Sequence, residues 1–127
     1  MEFADRSVAQ LTEATQDFVG SAETVEVALN GFGRHPMLSA GFLGFFFGNP
    51  RILTATDKSI KLLDVDAGTS WGKVRPKSAL GSYPRDTKLG PPKGVSHKIV
   101  LPDGQKIYLH RILFDHVRRI DGEAVGG

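Results

Sequence analysis

The sequence predicts a single mainly β (α+β) domain, a small barrel or sandwich of short strands closed by one amphipathic helix. Three observations predict this fold class. Several short segments alternate apolar with polar side chains, turn-forming residues separate them about every 8–12 residues, and both ends of the chain follow a helical period instead. The 127 residues, with a mass of 13.8 kDa, match the size of one domain.

Residues 1–20 are predicted to form an N-terminal amphipathic helix. Its apolar stripe, which follows a period of about 3.6 residues, consists of Val8, Leu11, Thr15 and Phe18. Ser7 and Gln10 fit a capping box at the start of the helix, and Gly20 fits its end. This part of the chain is acidic: residues 1–30 contain six acids and one base, whereas residues 31–127 contain eight acids and 15 bases.

Residues 21–122 are predicted to hold the strands. The segments with strand character are residues 25–29, 51–56, 59–64, 69–74, 95–101 and 105–110. The Asp-Lys pair at 57–58 predicts a tight hairpin turn, and Pro-Asp-Gly at 102–104 predicts another. Residues 81–94 contain three prolines and three glycines, so we expect a loop there with at most a short strand at its start.

The last element returns to helical spacing. One side of the predicted helix consists of Ile112, Leu113, His116, Val117 and Ile120. The other side consists of Arg111, Asp115, Arg118 and Arg119. Asp121 and Gly122 end the helix, and residues 123–127 are predicted to be a flexible tail.

A family resemblance rests on three parts of this pattern. Residues 50–63 resemble the opening hairpin of bacterial pleckstrin-homology-like (PH-like) domains, in which a strand ending in Thr-Asp turns directly into a second strand. Residues 83–91, the Pro-Asp-Gly hairpin and the closing helix are similar to small actinobacterial PH-like proteins. The resemblance covers residues 24–121 and implies a seven-stranded, bent antiparallel barrel capped by a C-terminal helix. It implies no catalytic residues, and the N-terminal helix is an addition to the family pattern.

Composition and motifs argue against several functions. Hydrophobic residues make up 40% and charged residues 24%, as in an ordinary globular protein, and there is no cysteine to form disulfides, thiolate metal sites or a nucleophile. Ser96 and His97 are strand neighbours that point to opposite faces. His110 and His116 are six residues apart, which is not the spacing of two ligands on one helix face. We therefore expect no enzyme activity, no cofactor and no metal site.

The first candidate site is a basic stretch at residues 73–98 with seven bases and one acid. The cations predicted to bind an anion or a lipid head group are Lys73, Arg75, Lys77, Arg85, Lys88 and Lys93. Arg85 and Lys88 lead this prediction because prolines at 84 and 91 hold their loop. The alternative is a solvated surface that balances the acidic helix, or touches it. Stacking aromatics are sparse here, so we do not expect a nucleic-acid partner.

The second candidate site is an apolar run at residues 36–48. As a helix it would extend about 20 Å, whereas a bilayer core is about 30 Å thick, so we do not expect it to span a membrane. The predicted apolar interface consists of Phe42, Leu43, Phe45, Phe46 and Phe47. Three interpretations remain open: a core segment, an interface with a partner or a second copy, and a shallow membrane contact.

Together these patterns predict a non-enzymatic binding module that docks to an anionic lipid head group or a protein partner. The alternative is a structural protein that self-assembles into a homo-oligomer through the Phe-rich segment. Glu2 and Asp5 stand where a signal peptide would carry basic residues, so we expect a soluble, cytoplasmic protein. If the partner is lipid, the expected place is the inner face of the plasma membrane.

Overall fold

The computed structural model of the protein describes residues 2–33, 50–66 and 75–122. The elements in chain order are helix α1 (Glu2–Val19), strands β1 (Val25–Phe32), β2 (Pro50–Thr56), β3 (Ser59–Asp66), β4 (Arg75–Pro84), β5 (Ser96–Val100) and β6 (Lys106–His110), a 3-10 turn (Arg111–Leu113) and helix α2 (Phe114–Ile120). The prediction of a mainly β fold with a helix at each end is confirmed.

The strands form one antiparallel sheet that curls into a half-barrel. Their order is β4-β3-β2-β1-β6-β5. β1 pairs with β2 along its length but with β6 only at Phe32, opposite Tyr108, so the sheet opens between β1 and β6. The curl brings the two edges together, because the hydroxyl of Tyr83 on β4 lies 3.0 Å from both carboxylate oxygens of Asp103 in the β5–β6 turn.

Both predicted hairpins are confirmed. β2 and β3 pair around the Asp-Lys turn, and β5 and β6 pair around Pro-Asp-Gly. The described residues form six strands where seven were predicted, and the strand predicted at residues 69–74 lies outside the described residues. β4 was predicted only at its end, as the short strand that opens residues 81–94. It is an edge strand with mostly exposed side chains, so hydrophobic alternation does not mark it.

The core lies on both faces of the sheet. On the inner face, the fully buried Leu29, Leu53 and Ile107 pack in the same cluster as Val117 from α2. On the outer face, Leu11 of α1 covers Ala28, Ile52, Leu63 and Val65. β1 is therefore not the half-buried alternating strand predicted at residues 25–29. A bulge between Val25 and Val27 and the cover of α1 leave Ala28 and Leu29 both fully buried.

The N-terminal helix differs from its prediction at two points. It begins at Glu2, so Ser7 lies inside the helix and the capping box predicted there is wrong. Phe18 is 41% exposed and lies outside the buried stripe. Gly20 ends the helix as predicted, with φ at +83°.

Candidate functional site

The predicted anion-binding cations do not converge in the structure. Arg75 and Lys77 are exposed at the first end of β4, whereas Arg85 and Lys88 follow its other end. Extended backbone separates Lys77 from Arg85 by about 25 Å. Lys93 is exposed in the next loop, and Lys73 lies outside the described residues.

Arg85 is engaged within the fold. Its Nε and Nη2 donate to the same carboxylate oxygen of Glu26 on β1, at 3.0 and 2.9 Å. Its Nη1 donates to the carbonyl of Ile120 at 3.0 Å, the last residue of α2. One guanidinium thus joins the loop after β4, the outer edge of β1 and the end of α2. A ligand would have to break these contacts to reach it.

Lys88 and Asp121 fix the same loop on α2. The ammonium of Lys88 donates to the carbonyl of Asp121 at 2.7 Å. The carboxylate of Asp121 accepts the backbone N–H groups of Leu89 and Gly90, each at 2.8 Å. The Lys88 contact satisfies one of the carbonyls at the C-terminal end of the helix, and the carboxylate of Asp121 fixes the backbone of the loop. Both leading positions of the predicted site therefore stabilise the loop on the closing helix.

Acidic residues of the first 30 positions do contact basic residues of the rest of the chain. Beside the Glu26–Arg85 pair, Glu23 forms a 3.0 Å ion pair with Lys61 on β3. Glu23 also accepts hydrogen bonds from the hydroxyls of Ser59 at 2.6 Å and Thr56 at 2.7 Å. These bonds, together with Lys61, lower the pKa of Glu23 to about 2. The sequence did not identify this cluster, because Glu23 lies more than 30 positions from its partners Thr56 and Ser59.

The remaining basic side chains separate into an engaged and an unengaged group. Arg51, Lys58 and Arg118 have partners, in addition to the three residues above. The cations whose side chains have no hydrogen-bond or ion-pair partner among the described residues are Arg75, Lys77, Lys93, Lys98, Lys106, Arg111 and Arg119. Within the described part of the chain, only these can offer their charge to another molecule without giving up a contact inside the fold.

Three unengaged cations lie along the β5–β6 hairpin. Lys98 lies opposite Tyr108, and Lys106 lies opposite Val100. Because side chains alternate along a strand, all four belong to the outer face of the sheet. Arg111 follows at the open end of the hairpin, where its backbone N–H donates to the carbonyl of Val95 at 2.8 Å. We call Lys98, Lys106 and Arg111 the hairpin cations.

No carboxylate offsets the hairpin cations within their own hairpin. Asp103 is the single acid among residues 95–112. It lies in the turn, where it accepts hydrogen bonds from Gln105 and Tyr83. Those bonds, that of the Gln105 side chain first, lower the pKa of Asp103. The carboxylate thus remains charged but directed at the opposite edge of the sheet, which leaves the outer face of the hairpin positive.

A groove lies between α1, β1 and α2. This groove has a volume of about 770 Å³, and its lining includes the apolar Val25 and Val27 and the charged Glu13 and Arg119. The backbone donors of β1 at this open edge are already satisfied from α1: Gln16 accepts the N–H of Val25 at 2.7 Å, and Thr12 accepts that of Ala28 at 3.0 Å. Carboxylates and arginines are equal in number among the lining residues of the groove, so the groove does not select one sign of ligand.

Two described side chains with ionisable rings, His97 and Tyr83, are engaged within the fold. Nε2 of His97 lies 2.8 Å from the carbonyl of Leu89, and its ring packs edge-on against Phe114, on the face opposite Ser96. Burial, together with the hydrogen bonds to Asp103, raises the pKa of Tyr83 to about 12, so this phenol stays protonated at neutral pH. Within residues 2–33, 50–66 and 75–122, no three potential ligand side chains come together to hold a metal ion.

The predicted apolar interface, Phe42, Leu43, Phe45, Phe46 and Phe47, lies outside the described residues and stays a prediction. Among the helices that the structure describes, none has the length and apolar character needed to cross a bilayer. No protein-family model, curated protein or solved structure matches this chain. The assignment of function therefore depends on the geometry of the chain itself.

Proposed function

We propose that this protein is a non-enzymatic binding module that docks to an anionic partner, either lipid head groups or an acidic protein surface. One observation carries the proposal: the hairpin cations lie together on the β5–β6 hairpin without an internal partner among the described residues. Like charges that are held close together repel one another, so the approach of an anionic surface lowers their electrostatic free energy. Among the other unengaged cations of the described chain, Arg75 and Lys77 lie two positions apart on β4, and Lys93 and Arg119 lie in a loop and on α2.

We also propose a PH-like arrangement of the fold. The curled antiparallel sheet, the Thr-Asp turn between β2 and β3 and a closing helix packed on the inner face support it. α1 is an addition to that arrangement, and it covers the outer face of β1, β2 and β3. In a cell, such a module would work at the inner face of the plasma membrane if its partner is lipid.

The test measures binding to two anionic probes, vesicles containing phosphatidylserine and soluble poly-L-glutamate, at low and high salt. We expect binding to at least one probe, weakened by salt because screening shortens the reach of surface charge. Reversing all three hairpin cations (Lys98→Glu, Lys106→Glu and Arg111→Glu) should weaken binding at least a hundredfold, since each lost cation contributes about 1 kcal/mol near an anionic surface and each new carboxylate adds repulsion.

The matched control reverses three other unengaged cations of the predicted basic stretch. The triple variant Arg75→Glu, Lys77→Glu and Lys93→Glu changes the net charge by the same amount, so it controls for long-range attraction. We expect it to weaken binding less than about threefold, because none of its positions lies on the β5–β6 hairpin. An equal loss of affinity in both triple variants would place the site elsewhere. If the protein bound neither probe, the proposed function itself would be contradicted.

A second proposal, self-assembly through the Phe-rich segment, has one structural observation in its favour. The chain leaves β1 at Phe32 and re-enters the sheet at Pro50, and these two residues pair directly. The two strands that flank the Phe-rich segment in the sequence are therefore paired where they meet it. Light scattering of wild type and Phe46→Asp tests the proposal: we expect a discrete oligomer that dissociates in the variant, and a monomeric wild type would contradict it.

A further inference from the structure

Exposed aliphatic side chains accompany the hairpin cations. Val95 is 61% exposed, Val100 is 55% exposed and Ile112 is 42% exposed, which makes them three of the four large hydrophobic side chains that stand exposed in the described chain. Val100 lies opposite Lys106 on the outer face. Val95 and Ile112 flank Arg111 at the open end of the hairpin, where the carbonyl of Val95 accepts its N–H. Each exposed aliphatic residue thus has a cation beside it.

This pairing favours a bilayer surface over other polyanions. An anionic membrane offers phosphates to the cations and, a few ångströms deeper, acyl chains to the aliphatic side chains. A nucleic acid would use stacking aromatics, and the one Phe, Tyr or Trp of the described hairpin, Tyr108, is half-buried and already has an interaction partner. An acidic protein surface would gain little from branched aliphatic side chains set among cations, because interface cores exclude charge.

We infer that the β5–β6 hairpin is a membrane-docking edge: the hairpin cations bind anionic lipid phosphates while Val95, Val100 and Ile112 enter the head-group layer. The inference rests on the proposed function and narrows its partner to an anionic bilayer. Docking is peripheral, since the hairpin presents these side chains from an edge strand and a turn. Lys98 at the centre of β5 keeps the same edge from pairing with another strand.

The first experiment exploits the absence of cysteine from the chain. Val100→Cys and, as control, Ser78→Cys on the exposed part of β4 are each labelled with a nitrobenzoxadiazole fluorophore. On vesicles of phosphatidylcholine with about a third phosphatidylserine, we expect the label at 100 to brighten, shift to the blue and be quenched by doxyl-labelled lipid. The label at 78, on the opposite edge strand, should stay in water and show none of these changes.

The second experiment separates this inference from the proposed function. The variant Val95→Ser, Val100→Ser and Ile112→Ser keeps every charge, so its affinity for poly-L-glutamate should equal that of wild type. Its affinity for the vesicles should fall at least tenfold, because the apolar contribution is lost. Circular dichroism and urea unfolding confirm that the variant folds.

Each outcome has one meaning. Binding to poly-L-glutamate without binding to vesicles would overturn the membrane inference and leave the proposed function standing, with an acidic protein as partner. Vesicle binding that the serine variant retains, with no quenching at position 100, would show adsorption by charge alone and would also overturn it. Failure of both probes would remove the proposed function and this inference together.

Discussion

Glu23 joins the loop after α1 to the β2–β3 hairpin, and its replacement tests the account of this junction. One carboxylate oxygen accepts hydrogen bonds from Ser59 and Thr56, and the other pairs with Lys61 at 3.0 Å. The side chain of Glu23 is 16% exposed. Glu23→Gln keeps the shape of the side chain and removes its charge. We expect the variant to fold with a lower free energy of unfolding.

The size of the effect follows from the pKa of Glu23. The hydrogen bonds of Ser59 and Thr56, with Lys61, lower the pKa from 4.5 to about 2. That fall corresponds to about 3 kcal/mol. Solvent reaches the rim of the cluster and screens it, so we expect Glu23→Gln to cost ~1–2 kcal/mol near neutral pH.

The dependence on pH has a definite sign. The folded protein holds Glu23 at a lower pKa than the unfolded chain does, so its contribution is complete above the unfolded value of about 4.5. It is lost as the pH falls through that value toward about 2. The difference in stability between wild type and Glu23→Gln should therefore shrink by more than half between about pH 7 and about pH 3.

Urea unfolding followed by far-ultraviolet circular dichroism measures this difference at both pH values. The matched control is Glu13→Gln, which removes the same charge from an exposed position on α1. The control should change the free energy of unfolding by less than about 0.5 kcal/mol. The reasoning is refuted if the two variants lose the same stability, or if the deficit of Glu23→Gln is unchanged near pH 3.

Three further substitutions test the packing. Thr54→Val should raise the free energy of unfolding, measured with urea, by about 1 kcal/mol, because the buried hydroxyl of Thr54 has no hydrogen-bond partner among the described residues. A loss of stability would contradict this. Tyr83→Phe should cost about 1 kcal/mol. It should also remove the absorbance change near pH 12 that the ionisation of the Tyr83 phenol causes. The contribution of Tyr83 to stability is complete below about pH 10 and is lost as the pH rises to about 12. A Tyr83 phenol that titrates near pH 10 would refute this. Gly31→Ala should lower the melting temperature at a cost of about 2 kcal/mol, because a Cβ would lie 2.5 Å from the carbonyl oxygen of Tyr108; unchanged melting would contradict this.

The parts of the fold that the sequence predicted are those with local causes. The turns at residues 57–58 and 102–104 depend on turn chemistry, and the strands beside them carry their own alternation. The burial pattern of β1 and most of β4 were not predicted, because the surroundings of these strands decide which of their side chains are buried. α1 buries the second face of β1, and β4 lies at an edge where few side chains are buried.

The candidate site divides in the same way. Arg85 and Glu26 pair across 59 positions of the sequence. The sequence therefore could not show that Arg85, the leading cation of the predicted anion site, is engaged within the fold. Lys106 was within reach of sequence reasoning. The confirmed strand at residues 105–110 places positions 106, 108 and 110 on one face, with Lys98 across from Tyr108. The prediction stopped at Lys98 because it followed charge density along the chain instead of strand parity.

This division changes how the basic residues of the chain are to be tested. A cation that holds the fold together cannot report on ligand binding alone, because its removal changes both. Arg85→Glu would place a carboxylate beside Glu26 and leave the carbonyl of Ile120 without its donor, so lost binding in that variant would reflect a displaced α2. The hairpin cations lack such contacts within the described chain, and their reversal removes charge from a strand that keeps its ladder. A binding defect there, in a protein with unchanged unfolding, is therefore evidence about the partner.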